Sequence, residues 1–146
     1  MKKVLVLYYS RSGNTEKMAQ AVAEGAKSIS DVRVDLSFHI ETSDLTNYDA
    51  LIIGAPTYRK EMPIDFKNIF EEAIKQKISL KGKIGAAFGS YGWSGEAPKL
   101  VLELMQKLEM TITEPPILAK YAPDQAMIEN CRNLGKRISE SLIKDV

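Results

Sequence analysis

Three short stretches of this sequence hold almost nothing but apolar residues: Val4–Tyr9 (VLVLYY), Ala50–Ala55 (ALIIGA) and Ile84–Phe88 (IGAAF). Runs of that length suit strands, and the lack of any polar alternation means that both faces are covered. Between them the apolar period changes. Met18, Ala19, Val22, Ala23 and Ala26 recur at helical spacing, as do apolar residues across Ile64–Ile78 and Ala97–Leu108. Pro63 stands in the place that favours a helix's first turn. Buried strands alternating with amphipathic helices predict an α/β protein: a doubly wound parallel sheet with right-handed crossovers and helices on both faces.

The remaining segments extend this pattern. Val32–Phe38 alternates apolar and polar, as a half-buried strand near an edge does. Thr111–Ala119 reads as a strand broken by Pro115 and Pro116, so an edge or a kink is expected. A last helix runs on from Pro123, with Asp124 near its start and Lys136, Arg137 and Lys144 towards its end, as the helix dipole favours. At 146 residues, with no linker, repeat or low-complexity tract, a single domain over 1–146 is expected.

Composition mainly excludes. A formal net charge of +1 and no dense basic run offer nothing to steer nucleic acid or an anionic membrane surface. No apolar stretch approaches the roughly 20 residues of a membrane span. Met1-Lys2-Lys3 leads straight into the first strand without a cleavage site, so no signal peptide is expected. Cys131 is the sole cysteine, which forbids an intramolecular disulfide and fits a cytoplasmic setting. His39 is the sole histidine and has no metal-ligand pattern around it; Cys131 reads as a small buried side chain.

In doubly wound sheets ligands sit beyond the carboxyl ends of the strands, at the switch point of the winding. That directs attention to three loops. The first, Ser10-Arg11-Ser12-Gly13-Asn14-Thr15, stands where a strand gives way to a helix N-terminus, whose orphan N–H groups and dipole favour an anion. Its hydroxyls and amide add neutral donors, and Gly13 permits close backbone approach. It is neither a Walker loop nor the dinucleotide turn. A simple helix cap is the competing reading, although one hydroxyl would suffice for that. The second loop, Pro56–Pro63, places Tyr58 just beyond a buried strand. The third, Gly89-Ser90-Tyr91-Gly92-Trp93-Ser94-Gly95-Glu96, carries three glycines and the only tryptophan. Its aromatics either stack on a flat ligand or fold back as a lid on the core. Together the loops supply a phosphate site and two aromatic walls, which suit a phosphorylated planar heterocycle.

These motifs resemble those of the flavodoxins, the small FMN-binding electron carriers. The hydroxyl-x-hydroxyl-Gly-x-Thr phosphate motif matches Ser10, Ser12, Gly13 and Thr15, and a Pro-Thr-aromatic second loop matches Pro56, Thr57 and Tyr58. The Gly-Ser-Tyr-Gly-Trp of short-chain members matches Gly89–Trp93, and Phe88–Ala97 also resembles the flavodoxin-like domain of flavodiiron proteins. The resemblance implies a five-stranded sheet of order 2-1-3-4-5, FMN as cofactor and one-electron transfer. Carried over, Ser10, Ser12, Asn14 and Thr15 bind the phosphate, with Arg11 and Gly13 lending backbone. Thr57 and Tyr58 line the inner face of the ring, with Pro56 and Arg59 as further cofactor-binding positions of the second loop. Tyr91 and Trp93 line the third loop, with Trp93 the outer stacking partner. Backbone of Gly89, Ser90, Gly92 and Gly95 meets the pyrimidine edge. The implied partners are redox proteins met transiently, a flavoprotein reductase or an iron–sulfur protein, by a monomeric carrier.

Two departures qualify the match. Many flavodoxins are strongly acidic, and this chain is near neutral. Many also carry a small residue, often glycine, where Arg59-Lys60 stands here, so the special backbone conformations of that loop should cost Arg59 more. Its cations either favour the anionic reduced flavin or are screened in a solvated loop. The alternative function is an NAD(P)H-dependent quinone or flavin reductase on the same fold, since PTYRKEM distantly resembles the second loop of that group. No second nucleotide motif is present for it. A diiron reductase would need several histidines, and a fold relative that has lost FMN would not need intact first and third loops. Glu61 and Glu96 are expected to be solvated carboxylates, because electron transfer needs no acid–base residue.

Overall fold

A computed structural model describes residues 1–144. Strands β1 (Lys2–Tyr8), β2 (Val32–Ser37), β3 (Ala50–Gly54) and β4 (Ile84–Tyr91) alternate with helices α1 (Asn14–Lys27), α2 (Ile64–Lys75) and α3 (Glu96–Lys107). Two short strands, β5 (Thr111–Ile112) and β6 (Ile117–Lys120), precede α4 (Gln125–Ile143). All named strand pairs are parallel, in the order β2-β1-β3-β4-β5, with β6 also pairing to β4. This is the expected 2-1-3-4-5 sheet with its fifth position split in two. Pro115 and Pro116 fall in the gap between β5 and β6, where a residue without an N–H cannot extend the ladder. A short 3-10 helix, Thr42–Asn47, precedes β3 and was not expected from the apolar pattern.

The unbroken apolar runs have a direct structural cause. Alternate residues of the central strands enter two separate cores. Leu5, Leu7, Leu51 and Ile53 join Phe66, Phe70, Val101 and Met105 under α2 and α3. Val4, Val6, Ala50 and Ile52 join Met18, Val22, Leu134 and Ile138 under α1 and α4. The edge strand β2 is half-buried as expected, but the alternation holds only for Val32–Val34: Leu36 and Phe38 are exposed, while Asp35 and Ser37 are half-buried. Removing the large side chain of a fully buried residue such as Phe70 should cost about 3–5 kcal/mol.

The register aligns the strand ends. Val4 lies opposite Ala50 and Tyr8 opposite Gly54, while Gly54 pairs in turn with Phe88. The loops after β1, β3 and β4 therefore leave the sheet at one edge. Tyr9 N–H donates to Gly54 O (3.0 Å), Ala55 N–H to Phe88 O (2.9 Å) and Thr57 N–H to Ser90 O (3.3 Å), which carries the parallel pairing past the strand ends.

Candidate functional site

The three loops bound a cleft of about 520 Å³ at the carboxyl edge of the sheet, within the few-hundred to ~1,000 Å³ range of small-molecule sites. Arg11, Ser12 and Asn14 line it from the first loop, and Pro56, Thr57, Tyr58 and Arg59 from the second. Ser90, Tyr91, Gly92 and Trp93 line it from the third.

The first loop divides its work. Gly13 is the residue before α1 and holds φ 90, a left-handed backbone that a side chain would strain. Ser10 is used locally: its Oγ accepts from the N–H groups of Gly13 (3.1 Å) and Glu16 (3.3 Å). It caps the turn into α1 and faces a neighbouring recess rather than the main cleft. Thr15 is buried, with its Oγ1 2.8 Å from Ser90 Oγ and accepting the Ser90 N–H at 3.3 Å. Its side chain ties the first loop to the third. Ser12 and Asn14 remain as the neutral polar side chains of this loop that line the cleft, beside the N-terminus of α1.

The second loop is a tight hairpin. Tyr58 and Glu61 exchange both backbone hydrogen bonds, at 3.0 and 2.9 Å. The two residues between them, Arg59 (φ 53) and Lys60 (φ 66), both occupy the left-handed region. Thr57 Oγ1 accepts the N–H of Ala97 (2.9 Å) and so holds the loop to the start of α3. The Tyr9 ring meets the Tyr58 ring edge-on, with centroids 6.2 Å apart, and the Arg11 guanidinium lies 4.5 Å from the Tyr58 centroid.

In the third loop Trp93 is 90% exposed, which removes the reading of an aromatic lid folded into the core. Gly89 and Gly95 do not line the cleft. A Cβ at Gly89 would fall 2.1 Å from Ala55 O, so that glycine serves the close packing of the strand ends. Gly95 is the residue before α3 and lies against Tyr91 and Leu118. Glu96 opens α3, where the Ser94 hydroxyl, with a contribution from the Lys60 charge, holds its carboxyl below the usual range. One of its oxygens is buried without a partner among the described residues.

Tyr121 also lines the cleft and was not among the expected residues. It follows β6, holds φ 59, and its N–H donates to Tyr91 O (2.7 Å). An aromatic directly after a strand at the ligand edge was the available signal, obscured by the prolines that made the strand itself hard to read. His39 is exposed, with its ring 3.3 Å from Glu41. Cys131 is fully buried, and burial pushes its thiol up to about 12. Among the described residues no cluster of His, Cys, Asp or Glu could hold a metal ion, and no helix is long and apolar enough to cross a membrane.

This donor set fits FMN. The cleft brings together hydroxyl and amide side chains beside a helix N-terminus, Ser12 and Asn14, and two aromatic side chains, Tyr58 and Trp93, from different loops. A terminal phosphate matches the first pair and a flat ring the second.

Comparison with known proteins agrees. The family model described as Flavodoxin matches residues 6–135. The type A flavoprotein fprA of Rhodobacter capsulatus is 38% identical over 149 residues, covering 97% of this chain but 33% of that protein. The chain thus spans about a third of the length of that relative. The flavodoxin of Clostridium beijerinckii is 36% identical over 138 residues, covering 92% of this chain and 97% of the relative. Among solved structures, a flavodoxin from the domain Archaea superposes with a TM-score of 0.86 at 35% identity, covering 96% of this chain and 98% of the other.

Proposed function

The chain belongs to the flavodoxin family, and on that premise we propose that it works as one flavin-binding domain that holds FMN and passes electrons between other redox proteins. The observation that carries the reading is the cleft itself, lined by the hydroxyl-and-amide loop, by Tyr58 of the second loop and by exposed Trp93 of the third. Ser12 and Asn14 would hold the phosphate with the backbone N–H groups at the start of α1. Ser10 and Thr15 shape that loop, the one by capping it and the other by bonding to Ser90. Tyr58 and Trp93 would flank the ring, while Tyr91, Gly92 and Tyr121 close the side of the cleft. Bound FMN supplies one-electron chemistry that no side chain here offers. The protein's part is to orient the ring, cover its faces and leave an edge accessible to a partner.

The partners are redox proteins met transiently: a flavoprotein reductase or a low-potential iron–sulfur protein. The carrier is a monomer of the cytoplasm. A reductase that took hydride from a nicotinamide would need a second nucleotide pocket against the ring, and the loops framing the cleft carry no such motif.

The test is purification with the bound flavin, followed by titration of the stripped protein. FMN should bind one to one, and Ser12→Ala should weaken FMN by roughly 1–3 kcal/mol while leaving riboflavin nearly unchanged. Equal affinity of the unaltered protein for FMN and riboflavin would overturn the phosphate assignment.

A further inference from the structure

The first loop contains one side chain that a phosphate-binding role does not account for in this structure. Arg11 lies within the hydroxyl loop, yet its guanidinium is 4.5 Å from the centroid of the Tyr58 ring, on the second loop. Tyr9 completes the group, edge-on to Tyr58 at 6.2 Å and 77°. Arg11 and Tyr58 line both the main cleft and a smaller recess of about 220 Å³ that also touches Met62 and Ile64. The stacked pair is therefore a partition between two spaces. Tyr58 itself sits directly before the two left-handed residues of a hairpin, so its backbone is fixed by that turn. Its ring is then held by Tyr9 on the edge and Arg11 on the face.

Resting on the FMN reading above, we infer that Arg11 is a positioning residue for the ring wall: its side chain braces Tyr58 across the loops, and acts on the flavin ring subsite rather than on the phosphate subsite. A guanidinium stacks flat on an aromatic face and keeps its charge at any accessible pH, which makes it suited to bracing a ring in water. The loss of such a brace lets Tyr58 sample other rotamers and weakens whatever rests on it.

The two subsites make the test sharp, because riboflavin shares the ring and lacks the phosphate. Affinities of the stripped protein for FMN and riboflavin are measured by fluorescence titration for the unaltered chain, Arg11→Gln, Arg11→Lys, Tyr58→Leu and the Arg11→Gln/Tyr58→Leu pair. Arg11→Gln should weaken both flavins by the same factor, roughly two- to fivefold for an exposed cation–π contact. Arg11→Lys, which keeps a cation over the ring, should recover part of that loss. In the Tyr58→Leu background Arg11→Gln should have no further effect on riboflavin. A loss for FMN with riboflavin unchanged would overturn the inference and make Arg11 a phosphate ligand. Unchanged affinity for both flavins would overturn it too. If the unaltered chain binds neither flavin, the FMN reading itself falls, a result distinct from either of these.

Discussion

Arg59 and Lys60 illustrate what a single residue's backbone can cost. Two-residue hairpins with positive φ at both central positions favour Asn-Gly and its kin, and here both positions carry long L side chains at φ 53 and 66. Nothing in the local sequence announces the turn; only the pairing of Tyr58 with Glu61 and the fixation of Thr57 by Ala97 impose it. Lys60→Gly should relieve the left-handed strain and, after the added freedom of the unfolded chain, stabilise the protein by about 0.5–1 kcal/mol. A thermal or denaturant midpoint that fails to rise would mean that the turn is not strained. Cys131 behaves in the opposite way, since its composition alone predicted its state. Burial raises its thiol to about 12, so at pH 8 it stays protonated in the folded protein. Native protein should resist iodoacetamide at that pH and react once unfolded in urea. Fast native labelling would contradict the burial.

At the scale of elements, the parts most legible in the sequence were those whose physics is local. A strand covered on both sides must be apolar throughout, and β1, β3 and β4 fall on the three apolar runs. The proline pair between β5 and β6 could be read as a break but not as two pieces that pair in succession along the same side of β4, because which neighbour they pair with is decided by the whole sheet. The Thr15–Ser90 link was illegible for the same reason: it joins residues 75 positions apart. The crossing of α1 and α4 is a further tertiary fact. A Cβ at Gly25 would lie 1.8 Å from Arg132 O, and one at Gly135 1.9 Å from Val22 O. The helices approach backbone to backbone, and the contact is sealed by Ser139 Oγ donating to Ala26 O (2.9 Å). Gly135→Ala must push the helices apart and should cost about 1–3 kcal/mol, since the atoms it meets are backbone and cannot rotate away. A substitution at an exposed position of the same helix, such as Lys136→Ala, measured in the same way by urea unfolding, should stay within about 0.5 kcal/mol.

At the scale of the molecule, the question is whether the cleft serves a passing protein or a second nucleotide. Trp93, at 90% exposure, lines the cleft from the third loop. Its emission should be quenched on FMN binding and recover when the cofactor is stripped; unchanged emission would mean that Trp93 does not touch the flavin. The rim carries Arg59 and Lys60 on one side, whereas Glu16 and Asp65 line the recess beyond the first loop. A carrier needs its ring edge exposed and no hydride-donor pocket, because electrons cross between proteins without a bound nicotinamide. NADH or NADPH alone should thus reduce the FMN form very slowly, while a flavoprotein reductase or a reduced iron–sulfur protein should do so quickly. With an acidic partner the association should slow as salt rises, since exposed charges are screened beyond about 10 Å at 0.1 M ionic strength. Reversing both cations, Arg59→Glu with Lys60→Glu, should slow that association at low salt and turn its salt dependence towards the opposite sign, because salt now screens a repulsion. Rapid reduction by NAD(P)H with turnover on quinones would reject the carrier in favour of the reductase. Partner rates and flavin potentials untouched by the charge reversal would leave Arg59 and Lys60 as the solvated turn of a hairpin, shaping the Tyr58 wall through their backbone alone.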